Sequence, residues 1–279
     1  MPVLISYDGT RLAYEVSGEG TPVVCLPGGP MQDSADLGDL GGLSNRLRLV
    51  LQDYRGTGRS ETPINSASYR CDRLVDDVEA LREHLRADRI DLLAHCAGAN
   101  LAALYAARHP ENIRKVVLIT PSTRAVGITI TGDIRREIVR LREAEPWFPQ
   151  VSAAFEAIQA GQAKDSDWEA ITPLTYGRWD AAARAHHTRG ETNRNEDAAA
   201  IFGAEGAFDS TATREGLATL GAPVLLLAGE LDVAAPPRIV AEYAALFPNA
   251  TLVTQPGGGH VPWLDDPDWF TATIAAFVA

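Results

Sequence analysis

The sequence predicts an α/β fold, built on a mostly parallel β-sheet that helices cover on both faces. Two observations support this prediction. Short and largely apolar runs recur along the chain, and stretches with apolar residues at helical spacing lie between them. Strands buried on both faces by such helices are typical of parallel sheets. The length of 279 residues predicts one large domain, or one domain that carries an insertion.

Eight segments have the pattern of strands. The first two, 4–7 and 12–16, flank the turn at Asp8 and Gly9, and this arrangement predicts an antiparallel hairpin. The other six are short, mainly apolar runs that predict the remaining strands: 23–26, 47–51, 90–94, 116–119, 224–228 and 251–254. Helical patterns at 74–85 and 97–108 separate three of these runs.

The segment 122–205 lacks further runs of this kind and repeats apolar residues at helical spacing between prolines. It therefore predicts an inserted helical cap, which leaves 1–121 and 206–279 as the core. Aromatic residues of the cap either line a substrate pocket or form a small core of the cap itself. The candidates are Trp147, Phe148, Trp168, Tyr176 and Trp179, and of these we predict substrate contact for Trp147, Phe148 and Trp179.

Composition argues against several classes of partner. A net charge of −12 opposes binding to nucleic acid or anionic membranes, because both are negatively charged. No apolar run approaches the roughly 20 residues of a membrane span, and the N-terminus lacks a secretory pattern. The three cysteines form no CxxC pair, and His186 and His187 lack metal-ligand spacing with acids. We expect a cytoplasmic protein without metal or cofactor that acts on a small molecule. Whether it forms a homo-oligomer stays open.

Cys96 follows a predicted strand directly and precedes a predicted helix, with the small residues Ala94 and Gly98 two positions away on each side. This small-x-nucleophile-x-small pattern is typical of a nucleophile elbow, where strand and helix nearly touch. The N-terminus of the helix also favours the thiolate form of a cysteine. A buried structural cysteine is the alternative interpretation. The adjacent His95 either contacts substrate or is only packed.

Two further residues follow predicted strands. Asp232 comes soon after the run 224–228, and His260 follows the run 251–254 in a glycine-rich loop. Because the carboxyl ends of parallel strands share one edge of the sheet, we expect both side chains near Cys96. The order of nucleophile, acid and histidine along the chain is that of a hydrolytic triad.

A glycine turn at 26–30 follows the third strand. Its backbone can present an N–H group toward the elbow, and together with the N–H of Ala97 this would form an oxyanion hole with two donors. An ordinary Gly-Pro turn is the alternative interpretation.

Taken together, these motifs resemble the α/β-hydrolase superfamily, and most closely its proline iminopeptidase-like branch. The resemblance covers nearly the whole chain. The segments that carry it are 28–30, 53–60, the elbow around Cys96, 229–232 and 259–260. Two positions depart from the usual pattern of the branch: Pro27 stands where a histidine precedes the glycine pair, and Cys96 stands where serine is usual.

The resemblance implies an α/β-hydrolase fold with a helical cap over the site. It implies a catalytic triad of Cys96, Asp232 and His260, with Gly29 and Ala97 as oxyanion donors. The segment 53–60 is expected mainly to support the oxyanion loop. Peptidases of this branch hold the free amine of a substrate with cap carboxylates, and the candidates in this chain are Glu145, Glu191, Glu196 and Asp197.

The expected reaction is acyl transfer through an acyl-enzyme on Cys96, in a hydrolase of a small ester, thioester or amide, aminopeptidase-like activity included. Two alternatives stay open. The same triad serves an acyltransferase, a thioesterase or a lactonase, and a protein of this fold can also bind a ligand without turnover. The cysteine is either native or an engineered replacement of serine, and the sequence does not decide between them.

Overall fold

A computed structural model describes residues 2–279, so Met1 of the predicted core segment lies outside the described residues. Eight β-strands make up its sheet. In chain order they are β1 Val3–Ile5, β2 Arg11–Ser17, β3 Pro22–Leu26, β4 Arg48–Gln52, β5 Ile90–His95, β6 Ile113–Ile119, β7 Val224–Gly229 and β8 Ala250–Gln255. Each predicted strand is therefore present, with shifts of a few residues at the ends.

The strands form one sheet in the order β1-β2-β4-β3-β5-β6-β7-β8. The pairs β1–β2 and β2–β4 are antiparallel, and every later neighbouring pair is parallel. This arrangement confirms the predicted α/β fold with its N-terminal hairpin. The carboxyl ends of β5, β7 and β8 consequently lie along one edge of the sheet.

Helices cover the sheet on both sides. In chain order the α-helices of residues 2–279 are α1 Cys71–His84, α2 Gly98–Arg108, α3 Gly132–Arg140, α4 Phe148–Gln159, α5 Asp165–Ala170, α6 Ala181–Thr192, α7 Glu196–Phe202, α8 Ser210–Ala218, α9 Pro237–Ala244, α10 Pro262–Asp265 and α11 Pro267–Val278. No helix of these residues is long and apolar enough to cross a membrane.

Two hydrophobic clusters lie on the opposite faces of the sheet. Successive residues of one strand alternate between them, so that Leu92 joins one cluster and Leu93 the other. Leu226 and Leu227 divide in the same way on β7. Because both faces are buried, these strands do not alternate apolar and polar residues. They consist of continuous apolar runs in the sequence.

The segment 122–205 contains α3 to α7 and, within the described chain, no β-strand of the sheet. Its first half has a small hydrophobic cluster of its own around Val139, Val151, Phe155 and Leu174. Its last helix behaves differently, because Ala198 and Phe202 of α7 belong to the larger cluster on the sheet.

Candidate active site

Cys96 lies at the corner between β5 and α2, at the carboxyl edge of the sheet. Its φ of +48° lies in the left-handed region, which non-glycine residues occupy mainly where surrounding structure enforces it. The helix can begin so close to β3 only because residue 98 is glycine. A Cβ atom on Gly98 would lie 2.6 Å from the Leu26 carbonyl oxygen and 2.5 Å from that of Pro27. The φ of Cys96 and the glycine at position 98 therefore define a tight corner that places the thiol at the sheet edge.

His260 and Asp232 meet Cys96 at this edge. The Nδ1–H of His260 donates to Oδ2 of Asp232 over 2.8 Å, and the other Asp232 oxygen accepts from the Ala234 N–H at 2.7 Å. Asp232 is completely buried. With Nδ1 engaged, Nε2 is the ring nitrogen that remains for the thiol. The backbone N–H of His260 donates to the Thr175 carbonyl at 2.7 Å, which ties the loop to the segment above it.

Two opposing effects act on the pKa of His260. Burial by itself lowers the pKa of His260, because a buried cation loses its hydration. The charges of Asp232 and Cys96, and the hydrogen bonds to both, raise it, and the pKa ends well above its ordinary value. The imidazolium form is thus favoured near neutral pH, and its charge lies beside the sulfur.

This raised pKa predicts a pH-dependent part of the stability. The unfolded value is about 6.5, so the folded chain holds the proton more tightly. The stabilisation is complete below about pH 6.5 and is lost as the pH rises through the raised folded pKa. We expect the difference in unfolding free energy between wild type and His260→Gln, measured with urea, to shrink toward alkaline pH. Asp232→Asn should flatten this dependence, and a difference that does not change with pH would contradict the assignment.

Two backbone N–H groups beside Cys96 have no partner among the described residues, those of Gly29 and Ala97. The loop that carries Gly29 presses against the corner, since a Cβ on Gly28 would lie 3.0 Å from the Cys96 Cβ. Free donors next to a nucleophile are suited to a developing oxyanion.

The segment 53–60 supports this loop, as expected. Oδ1 of Asp53 accepts from the backbone N–H of Ser34 at 2.9 Å and from its hydroxyl at 2.7 Å. The Tyr54 hydroxyl donates to the Pro27 carbonyl at 2.9 Å. These bonds fix the chain on both sides of Gly29, at Pro27 and at Ser34.

His95 is hydrogen-bonded to the loop that carries His260 and also borders the space beside Cys96. Its Nε2–H donates to the His260 carbonyl oxygen at 2.9 Å, an oxygen that also accepts from the Thr120 hydroxyl at 2.9 Å. Burial, followed by the charge of His260, holds the pKa of His95 well below its ordinary value, so this ring is neutral. The two sequence interpretations, contact with substrate and packing, are both compatible with this position.

A cavity of about 480 Å³ opens beside Cys96 and His260, within the size range of small-molecule sites. One wall is a polar stripe of α6, formed by residues one helical turn apart. Its members are His186, His187, Gly190 and Glu191, with Arg194 and Glu196 just beyond the helix. Asp36 contacts His186 of this wall, with 3.7 Å between its Oδ1 and the His186 Nε2, and it is buried. Burial raises the pKa of Asp36 against the lowering charges of His186 and His260.

The chain before Asp36 and the chain after α6 are hydrogen-bonded to each other. Gln32 and Arg194 form an isolated antiparallel bridge, and the Asp33 N–H donates to the Asn193 carbonyl at 2.8 Å. Segment 122–205 thus contacts the chain that follows Gly29.

Of the aromatic candidates of segment 122–205, Tyr176 lines this cavity, whereas Trp147, Phe148, Trp168 and Trp179 do not. Trp147 and Phe148 pack against the small cluster of the cap, and Trp147 also covers the Arg142 guanidinium at 4.8 Å. Trp179 lies behind the wall, against Tyr176 and His187, which do line the cavity. This position favours the alternative interpretation for Trp147 and Phe148, a small core of segment 122–205, and substrate contact by them stays a prediction.

Trp147→Ala is accordingly expected to lower stability and leave selectivity unchanged. The side chain is half-buried, so the loss of unfolding free energy should be about 2 kcal/mol, below the ~3–5 kcal/mol of a fully buried tryptophan. Urea denaturation measures the loss, and relative kcat/KM across a set of esters measures selectivity. Exposed Trp168→Ala is the control for tryptophan removal in the cap. A shift in relative kcat/KM for Trp147→Ala would show that this side chain contacts substrate after all.

Sequence reasoning missed most of the cavity wall. Of the four cap carboxylates considered, Glu191 and Glu196 line the cavity, whereas Glu145 lies beside Arg142. The signal available in the sequence was the spacing of 186, 187, 190 and 191, which places polar side chains on one helical face. Among residues 2–279, no three potential metal ligands lie close enough together to hold an ion.

The fold and the corner at Cys96 together define the class of protein. The α/β hydrolase fold family matches residues 21–267, and the chain belongs to this family. Its similarity to proline iminopeptidases confirms the predicted branch: the chain is 24% identical to the proline iminopeptidase of Heyndrickxia coagulans, over 98% of this chain and 97% of that one.

Solved structures share the fold along the whole chain. The proline iminopeptidase of Mycobacterium smegmatis superimposes with a TM-score of 0.74 at 20% identity, covering 99% of this chain and 96% of that one. An esterase from Rhodococcus sp. superimposes with a TM-score of 0.74 at 25% identity, covering 99% and 98% of the two chains. The chain is therefore an enzyme of the α/β-hydrolase family, similar to both peptidases and esterases.

Proposed function

We propose that this enzyme hydrolyses a small-molecule ester, thioester or amide through a covalent acyl-enzyme on Cys96. One observation carries the proposal: the thiol at the left-handed corner lies beside a histidine whose Nδ1–H is held by a buried carboxylate at 2.8 Å. Nucleophile, base and orienting group in this order are the elements of covalent acyl transfer.

The Nε2 of His260, whose pKa is raised, takes the thiol proton of Cys96. The Cys96 sulfur attacks the carbonyl carbon, and the carbonyl π electrons move to oxygen. The N–H groups of Gly29 and Ala97 bind this oxyanion, and each such donor is worth about 2.7–4 kcal/mol in the transition state. The intermediate collapses, and the leaving group takes the proton from His260 Nε2. Water, deprotonated by His260, then attacks the thioester carbon and releases the acid and the thiolate.

A second candidate is an amide substrate that carries a free amine, as in the aminopeptidase-like activity that the similarity to proline iminopeptidases suggests. It is favoured by the carboxylates of the 480 Å³ cavity, Asp36, Glu191 and Glu196, since a protonated amine would find acceptors there. Segment 122–205 would then act as a cap that selects substrates, while the core supplies the chemistry.

Turnover of a matched panel tests the proposal. The panel holds 4-nitrophenyl acetate, an acyl thioester, and an aminoacyl anilide with its N-acetylated form as the control for the amine. Saturable turnover that iodoacetamide abolishes supports the acyl-enzyme, and preference for the free amine supports the second candidate. Amide formation with an added amine would identify an acyltransferase. Saturable ligand binding without any turnover would overturn the proposal in favour of a non-catalytic protein.

We infer a cytoplasmic protein with a small-molecule substrate, since its three cysteines are free and its net charge of −12 disfavours polyanions.

A further inference from the structure

Cys96 and His260 also border a second cavity, of about 290 Å³. It does not share the wall made by α6. Its walls come from the chain after β6 and from α3, and they include Ser122, Arg124 and Arg135. The nucleophile thus stands between two spaces, so a substrate bound at Cys96 can extend into both.

The two cavities differ in charge. The larger one is lined by the carboxyl groups of Asp36, Glu191 and Glu196 and by Arg194, whereas the smaller one is lined by two arginines and by no acidic side chain. Each arginine is held by the backbone: Arg135 Nη1 donates to the Val233 carbonyl at 2.8 Å, and Arg124 Nη2 to that of Gly203 at 3.3 Å. Neither forms an ion pair within residues 2–279. By contrast Arg136, the next residue of α3, pairs with Glu156 at 2.7 Å.

The Arg135 guanidinium is half-buried and has no ion-pair partner in the part of the chain that the structure describes. This arrangement is unusual, because desolvating a charge is unfavourable unless an anion compensates it. The charge of Asp232 attracts Arg135 without forming an ion pair with it, and the two oxygens of Asp232 accept instead from His260 and the Ala234 N–H. Nε and Nη2 of Arg135 have no protein acceptor in the described chain.

A third donor lies in the same wall. The Ser122 hydroxyl makes no hydrogen bond within residues 2–279, although its backbone N–H donates to the Cys96 carbonyl at 3.0 Å. That bond fixes Ser122 relative to the nucleophile. The neighbouring Thr120 and Thr123 hydroxyls are already engaged, with the carbonyl oxygens of His260 and Ile128.

We propose that the second cavity binds a carboxylate group of the substrate, through Arg135 with Arg124 and the Ser122 hydroxyl. A planar carboxylate matches the fork of a guanidinium, and a charge-assisted bond is stronger than one to a neutral oxygen. This inference rests on the proposed acyl transfer at Cys96 and adds the class of substrate: an ester, thioester or amide with an anionic group close to the scissile bond.

Two matched pairs of esters test it. One pair places the carboxylate on the acyl side, 4-nitrophenyl hemiglutarate against 4-nitrophenyl butyrate, and the other on the leaving group, 3-carboxyphenyl acetate against phenyl acetate. We expect the wild type to favour the charged member of at least one pair, and Arg135→Met to reduce that ratio of kcat/KM about tenfold or more. The pair that responds identifies the side of the substrate. Arg136→Met is the control on the same helix and should keep the ratio.

A binding measurement separates this inference from the proposed function. Benzoate should protect Cys96 of the wild type from iodoacetamide better than benzamide does, and Arg135→Met should lose the difference, whether or not any ester is turned over. Arg135→Lys should keep part of it, which guards against a folding defect as the cause. Equal protection by benzoate and benzamide, or a charged-to-neutral ratio that Arg135→Met leaves unchanged, would overturn the proposal.

Discussion

Cys96→Ala is expected to lower kcat by about 10⁶, the loss seen when the nucleophile of a serine protease is removed. Without the sulfur no acyl-enzyme forms, and only binding and the oxyanion donors remain. The variant should fold, because the side chain is small and only partly buried. Steady-state kinetics with the best ester of the panel measure the loss, and a kcat within tenfold of wild type would contradict the assignment.

The other two cysteines are internal controls for the same residue. Cys25 and Cys71 are completely buried, and burial raises the pKa of the Cys25 thiol to about 12 and that of Cys71 well above its usual value. Iodoacetamide should therefore label Cys96 faster than either, and labelling should abolish turnover in step.

Cys96→Ser distinguishes the two origins of the cysteine. If the site suits a thiolate, serine should lower turnover, because its alcohol needs complete proton removal by His260. If an original serine was replaced, Cys96→Ser should raise turnover by restoring rapid deacylation. Either result keeps residue 96 as the nucleophile.

Asp232→Asn is expected to lower kcat by about 10⁴, by analogy with the same change in a serine protease triad. The amide keeps the shape of the carboxylate but removes the charge that raises the pKa of His260. His260→Ala should lose at least as much, because it removes the base itself.

Glu230→Gln is the matched control for Asp232→Asn. It changes a carboxylate two residues away whose Oε2 accepts from the Gly257 N–H at 2.7 Å, on the exposed side of the same loop. It should retain nearly full activity. Near wild-type rates in both Asp232→Asn and His260→Ala would remove these residues from the mechanism, and a large loss in Glu230→Gln would move the acid to position 230.

The strands were predictable because burial on both faces leaves an unbroken apolar run in the sequence. β6 shows where this signal fails. It begins at Ile113, three residues before the run, since Arg114 pairs with Asp91 of β5 and Lys115 donates to the carbonyl of Phe277 at 2.9 Å. Polar strand residues with such distant partners cannot be recognised from local pattern.

Part of the candidate site was likewise predictable from the sequence, and part was not. Cys96, Asp232 and His260 could be predicted because each follows a strand, and the sheet itself brings strand ends together. The cavity walls could not, since they depend on how α6 and α3 lie over that edge. Trp147 and Glu191 illustrate the difference: both are cap residues of suitable chemistry, yet only Glu191 faces the cavity.

The central claim is that the acyl group passes through the sulfur of Cys96, and trapping that group tests it most directly. The enzyme is mixed with a slowly hydrolysed ester, quenched in acid and digested. The masses of its peptides are then measured by mass spectrometry. We expect an acyl adduct on the peptide that contains Cys96. Hydroxylamine should release this adduct as it releases a thioester, and Cys96→Ala should lack it. An adduct on another residue, or full turnover by enzyme alkylated at Cys96, would contradict it.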